Sequence, residues 1–186
     1  MGAIMRHRWL ATVTVVAALA LCPPATSGAD SGPALVLAGN GTSIAHLGVR
    51  ETTAVASLEH VLGEPSMALA PTPGIENCGV DAMAIWHALI AYFNDDRLVG
   101  LSLGPGTKPA GRTSGGLVLG DTLARARAIY GTSLRTSTEQ GGAWFVKTGE
   151  GRLDGFLKPS SGRTPGPSSR ILTIDVGDVG CPAMSP

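Results

Sequence analysis

Aromatic side chains are scarce in this 186-residue chain, which has three Trp, two Tyr and three Phe. Charge is sparse as well, at 15% of residues, and balanced at 14 Lys+Arg against 14 Asp+Glu. Without a basic excess or a basic stripe, neither nucleic acid nor an anionic membrane surface is an expected partner. Cysteine is limited to Cys22, Cys78 and Cys181, and no two of them form a CxxC pair. HExxH and paired-histidine spacings are absent, so no zinc ligand set is recognisable and no cofactor is expected. The GxSxG elbow is missing, and "GPGTK" (104–108) lacks the GxxxxGK[ST] spacing of a phosphate loop. Apolar runs are short. The longest, "WLATVTVVAALAL" (9–21), meets Pro23–Pro24 before the about 20 residues that a membrane-spanning helix needs.

What is present begins with that run. Arg6 and Arg8 precede it, and the small residues of "CPPATSGAD" follow it, which is the order of a secretory signal peptide. Cleavage after Ser27 or Ala29 fits the small-residue rule, and 1–29 is taken as the signal. Its removal takes two arginines and no acids, leaving 12 basic against 14 acidic residues and a net charge of −2. The mature chain is thus expected to be secreted. The alternative is a lipid anchor at the cell surface through Cys22, against which stand Leu21 before the cysteine and Pro23 after it. With 44% hydrophobic residues, 26 Gly and 13 Pro, the composition describes a loop-rich globule and not a disordered chain.

Once Cys22 leaves with the signal, Cys78 and Cys181 are the only cysteines, in an oxidising compartment. A disulfide between them is the expected state. Closing a loop on the order of 100 residues stabilises by about 4–5 kcal/mol in the chain-entropy picture.

Two stretches of the chain resemble one another. "LIAYFNDDRLVG" (89–100) aligns without a gap to "WFVKTGEGRLDG" (144–155). Each reads as a strand, a polar turn ending in Arg, and a second strand containing Gly. "AMAIW" (82–86) and "SLRTST" (133–138) add a strand ahead of each hairpin. Further upstream, Val55, Leu58, Val61 and Leu62 follow helical spacing, as do Leu123, Ala126, Ile129 and Tyr130. Thr52 or Thr53 is the expected cap of the first helix and Asp121 that of the second, with Gly63 and Gly131 as stops. The expectation is an α+β fold of two tandem units, each a helix packed on a short antiparallel meander, linked by the disulfide. The boundaries are a flexible leader at 30–42, which holds the sequon Asn40-Gly41-Thr42, a first unit at 43–103, a linker at 104–116, a second unit at 117–181 and a tail at 182–186. A last strand is expected at 170–177.

The run "CG…IW–hairpin–F…RLVG", then "LGDTLARARAIYG", then a terminal "G…GC" resembles actinobacterial exported proteins of unknown function, over roughly 45–181. The tandem helix-plus-meander plan also resembles, at a distance, the architecture of the β-lactamase inhibitory protein. That family closes a disulfide inside each unit, whereas this chain has one pair spanning both, so no inhibitory residue carries across.

Function is expected to lie in binding. If one sheet face is open, period-2 alternation puts Leu89, Ala91 and Phe93 on one side and Ile90 and Tyr92 on the other. Trp144 and Val146 likewise oppose Phe145 and Lys147. Aromatics anchor interfaces when exposed, so Tyr92, Trp144 and Lys147 are the candidate binding residues, toward an unknown protein or cell-envelope ligand. The alternative is a secreted hydrolase with Ser114 of "RTSGG" as nucleophile and one of His46, His60 or His87 as base. "NDD" (94–96) is expected to be a turn and not a calcium loop.

Overall fold

The structure, a computed structural model, describes residues 35–69, 79–107, 110–138, 142–159 and 164–179. The expected signal segment with Cys22, both Cys78 and Cys181 with their expected disulfide, and the tail lie outside the described residues.

Strands β1 (Leu35–Ala38) and β2 (Gly41–Thr42) come first, followed by helix α1 (Glu51–Leu62). Ala54 and Leu58 are buried one turn apart, and Gly63 at φ 81° ends the helix by returning its N–H to Glu59 O at 2.9 Å. Neither Thr52 nor Thr53 caps it. The chain enters through Arg50 with no side-chain cap, and the Glu51 N–H is satisfied by Asp96 O of a neighbouring hairpin at 2.9 Å.

β3 (Met67–Leu69), β4 (Ala82–Trp86), β5 (Leu89–Asn94) and β6 (Arg97–Leu103) then run antiparallel in order. The β5–β6 turn has Asp95 at φ 51° and Asp96 at φ 58°. Two left-handed residues make a type I′ turn, whose twist matches that of the strands it joins, and Asp tolerates the conformation. The "NDD" segment is therefore a turn. After β7 (Gly111–Thr113) comes helix α2 (Leu123–Tyr130), which buries Leu123 and Ala126. Its cap is Thr122, whose hydroxyl accepts from Arg125 N–H at 3.1 Å, while Asp121 Oδ2 accepts from Val118 N–H at 3.0 Å. β8 (Arg135–Ser137), β9 (Ala143–Thr148) and β10 (Gly151–Lys158) form the second meander. The expected last strand is broken into β11 (Arg170–Ile171) and β12 (Ile174–Gly177).

The pairing order of the large sheet is β3-β4-β5-β6-β12-β10-β9-β8, with β11 on β10. Both meanders thus belong to one sheet, and β12 lies between them, antiparallel to β6 and to β10. The two expected units are not separate. What joins them in the described residues is a strand inserted by the chain's last segment. Equivalent residues of the two hairpins do share an environment. Leu98 and Leu153 are buried, Arg97 and Arg152 are exposed, and Gly100 and Gly155 are pressed on backbone at the two flanks of β12.

The leader and the linker also differ from expectation. β1 pairs with β2 and, in parallel, with β7, forming a second, three-stranded sheet. Residues 35–42 are ordered because Leu35 and Leu37 are buried core residues, and the linker is held where β7 joins that sheet. One core collects Leu35 and Leu37 from the small sheet, Leu58 from α1, Leu123 from α2, and Leu89, Leu101, Trp144, Leu153 and Val176 from the large sheet. Burying each such side chain contributes about 1.5–3 kcal/mol. The fold is mixed α/β and mostly sheet, with both helices on one face of the larger sheet.

Candidate functional site

The other face of that sheet is where polar chemistry collects. Because side chains alternate along a strand, each core residue leaves its neighbours pointing away from the helices. The pairing registers bring eight such residues into one row across the sheet: Met67, Ile85, Ile90, Ser102, Asp175, Asp154, Phe145 and Arg135, on eight successive strands. One end of the row is aliphatic, the other is aromatic and cationic, and the middle holds two carboxylates.

Asp175 is the centre of this arrangement. It is 4% exposed, between β6 and β10. Ser102 Oγ donates to its Oδ1 at 2.5 Å, and Thr173 Oγ1 donates to its Oδ2 at 3.1 Å. Burial pushes its pKa up to about 7, against the lowering effect of the two hydroxyls, and the nearby Asp154 charge adds to the rise. Asp154, its direct cross-strand partner, pairs with Arg152 at 2.7 Å. Burial raises the Asp154 pKa, and Arg152 acts in the opposite direction. The Arg152 guanidinium lies 5.0 Å above the Phe145 ring centre, so one cation serves both the acid and the aromatic. Tyr92 stands one row along, beside Gly100. Burial raises its pKa to about 12, with the Asp175 charge a second cause.

The three expected binding residues separate. Lys147 is exposed on this face, next to Arg152 on β10. Tyr92 shares the face but is only 5% exposed, so it is a wall of the acidic centre and not a protruding anchor. Trp144 is on the opposite, core side at 0% exposure, with its indole N–H given to Thr173 O at 3.3 Å. Trp144 is therefore part of the core, on the face of β9 opposite Phe145 and Lys147, because alternation along the strand puts Trp144 with buried Val146.

The hydrolase constellation is not assembled. Ser114, His46, His60 and His87 are all exposed, and the Ser114 hydroxyl makes no hydrogen bond to a histidine among the described residues. His60 stands on the outer face of α1, and His87 is in the β4–β5 turn at φ 52°. No group of three or more His, Cys, Asp or Glu side chains suited to a metal ion occurs among the described residues, nor is any helix there long and apolar enough to cross a membrane.

Asp175 and Ser102 were not among the expected site residues. Their signal is weak but legible: "LSL" (101–103) and "IDV" (174–176) each place one polar residue between two core residues. Only the strand order, which the local sequence does not encode, brings those two together. No family model, no curated protein and no solved structure matches the chain.

Proposed function

We propose that this chain is an exported, non-enzymatic binding protein whose partner docks on the sheet face opposite the helices. One observation carries the reading, the row from Met67 to Arg135 across eight strands. At an interstrand spacing of about 4.8 Å the row spans about 34 Å, which is too wide for a small molecule and suits a protein surface. Met67 is 50% exposed at one end, and Lys147 and Arg135 are exposed at the other. An apolar contact and a cationic contact thus flank a centre whose carboxyls are satisfied from within the sheet, Asp175 by Ser102 and Thr173 and Asp154 by Arg152.

The test is capture from culture supernatant and cell envelope with the wild-type protein, Met67→Glu, Lys147→Glu, and Arg125→Glu on the exposed side of α2. One partner retained by the wild type and Arg125→Glu but lost with Met67→Glu and Lys147→Glu supports the proposal. A partner retained by both sheet variants would overturn it.

Export and the disulfide belong to the same proposal. The reading of a Cys78–Cys181 bond rests on the sequence, in which they are the only cysteines beyond the expected signal. Thiol labelling of the native, unreduced protein is expected to find no reactive thiol. Intact mass is expected to show a start near Gly28 or Asp30 and no lipid on Cys22.

A further inference from the structure

A second site stands on different residues. A cavity of about 570 Å³ opens between the connection after β6, the loop before α2 and the β10–β11 pair. None of the row from Met67 to Arg135 lines it. Its volume falls within the usual range for small-molecule pockets, about 300–1,000 Å³. The wall is apolar, with Pro105, Val118, Leu119, Ile171 and Leu172. Val118 is 38% exposed, one of two large hydrophobic side chains so placed among the described residues, and the other, Met67, belongs to the sheet face.

Two cations share this wall, Lys158 and Arg170. They are direct partners across β10 and β11. Like charges in that position repel, and their Cβ atoms stand about 4.5–5.5 Å apart. Neither forms an ion pair with an acid among the described residues, where the one ion pair joins Arg152 to Asp154. Asp121, the nearest acid in sequence to Arg170's loop partner Gly120, has one carboxylate oxygen on Val118 N–H. Arg170 is also held in place. Its Nη1 donates to Gly120 O at 2.8 Å, which fixes the guanidinium while other N–H groups stay available.

We propose that this cavity binds a monocarboxylate with an apolar body, the carboxylate between Lys158 and Arg170 and the body against Val118, Leu119 and Leu172. An anion seated there converts a repulsive pair into two charge-assisted contacts, and Arg supplies the planar fork that a carboxylate fits. The apolar wall sets the second half of the specificity, since it gives nothing to a small hydrated acid.

Titration calorimetry on the mature protein tests it with three probes: decanoate, decanol and acetate. Decanoate is expected to bind saturably, with decanol and acetate each at least about tenfold weaker, because each lacks one of the two contacts. Lys158→Gln and Arg170→Gln are each expected to weaken decanoate about tenfold. Both side chains are exposed, and unchanged thermal melting checks the fold. Val118→Asp, which adds an internal carboxylate to the wall, is expected to abolish binding. Decanol binding as tightly as decanoate, decanoate affinity unchanged in both glutamine variants, or no saturable binding by the folded wild type would each overturn the proposal.

Discussion

At the scale of single residues, the buried carboxyl of Asp175 dominates the pH behaviour. Its pKa rises from the ordinary 3.8 to about 7 in the fold. Between those values the folded chain holds a proton that the unfolded chain has lost, so stability falls as pH rises. The full stability is present below about pH 4, declines toward pH 7, and is level above it. A pKa difference of one between the folded and unfolded chain is worth about 1.4 kcal/mol, so the decline is on the order of a few kcal/mol. Asp175→Asn removes the titration while keeping the shape and an acceptor for Ser102. Urea unfolding from pH 4 to 8 is expected to show a decline that is smaller in the variant, where Asp154 with its raised pKa still titrates, and the variant is expected to be the more stable at pH 8. Parallel curves would mean that Asp175 is ionised throughout. The other residue-scale constraint is steric. A Cβ on Gly100 would collide with Asp178 O, and one on Gly155 with Thr173 O. Alanine at either is expected to cost about 1–3 kcal/mol or more. Gly149→Ala, where a Cβ meets nothing within 4 Å, is expected to be near neutral in the same assay.

At the scale of elements, the sequence was most legible where one periodicity acts alone. Leu58 on α1, and Leu123 and Ala126 on α2, are buried as helical spacing requires, and the glycine stops are where turn chemistry puts them. The caps were legible only in kind. Ser, Thr and Asp are all good caps, and which one serves depends on which N–H groups other parts of the fold have already taken. Asp121 is drawn to Val118 N–H, and the first turn of α1 borrows Asp96 O, a contact 45 positions along the chain. Thr122→Ala is accordingly expected to cost about 1 kcal/mol, and Asp121→Ala to act through the loop before the helix. Circular dichroism melting of both variants and of Thr52→Ala checks this assignment, the last being expected to change little. The β5–β6 turn gives the opposite kind of test. Replacing Asp95-Asp96 by Asn-Gly, the preferred pair for a type I′ turn, is expected to raise stability modestly, and a loss would show that the carboxylates have another task. Asp95 N–H already donates to Asp81 Oδ2 at 3.0 Å, a contact the exchange preserves.

At the scale of the whole molecule, two similar hairpins suggested two units, because local sequence reports strands and turns but not which strand lies beside which. The decisive fact is that Ile174–Gly177 inserts between β6 and β10, joining elements more than 50 positions apart in a chain whose β6 begins at Arg97 and whose β10 begins at Gly151. The same insertion places Asp175 beside Ser102, so the candidate site was hidden for the reason that the single sheet was hidden. A shared central strand has a thermodynamic consequence. If β12 completes both halves, neither half has a stable edge without it, and the two should unfold together. Among the described residues each half carries one tryptophan, Trp86 on β4 and Trp144 on β9. In Trp86→Phe the fluorescence reports the second half, and in Trp144→Phe the first. Each fluorescence transition in urea is expected to coincide with the far-ultraviolet circular dichroism transition of the same variant. Ile174 is fully buried at the seam. Ile174→Ala added to either background is expected to destabilise by about 2–5 kcal/mol and to move both probes to lower urea by the same amount. A transition that splits, with one tryptophan released before the backbone signal changes, would mean that the halves fold as separate units despite the strand between them.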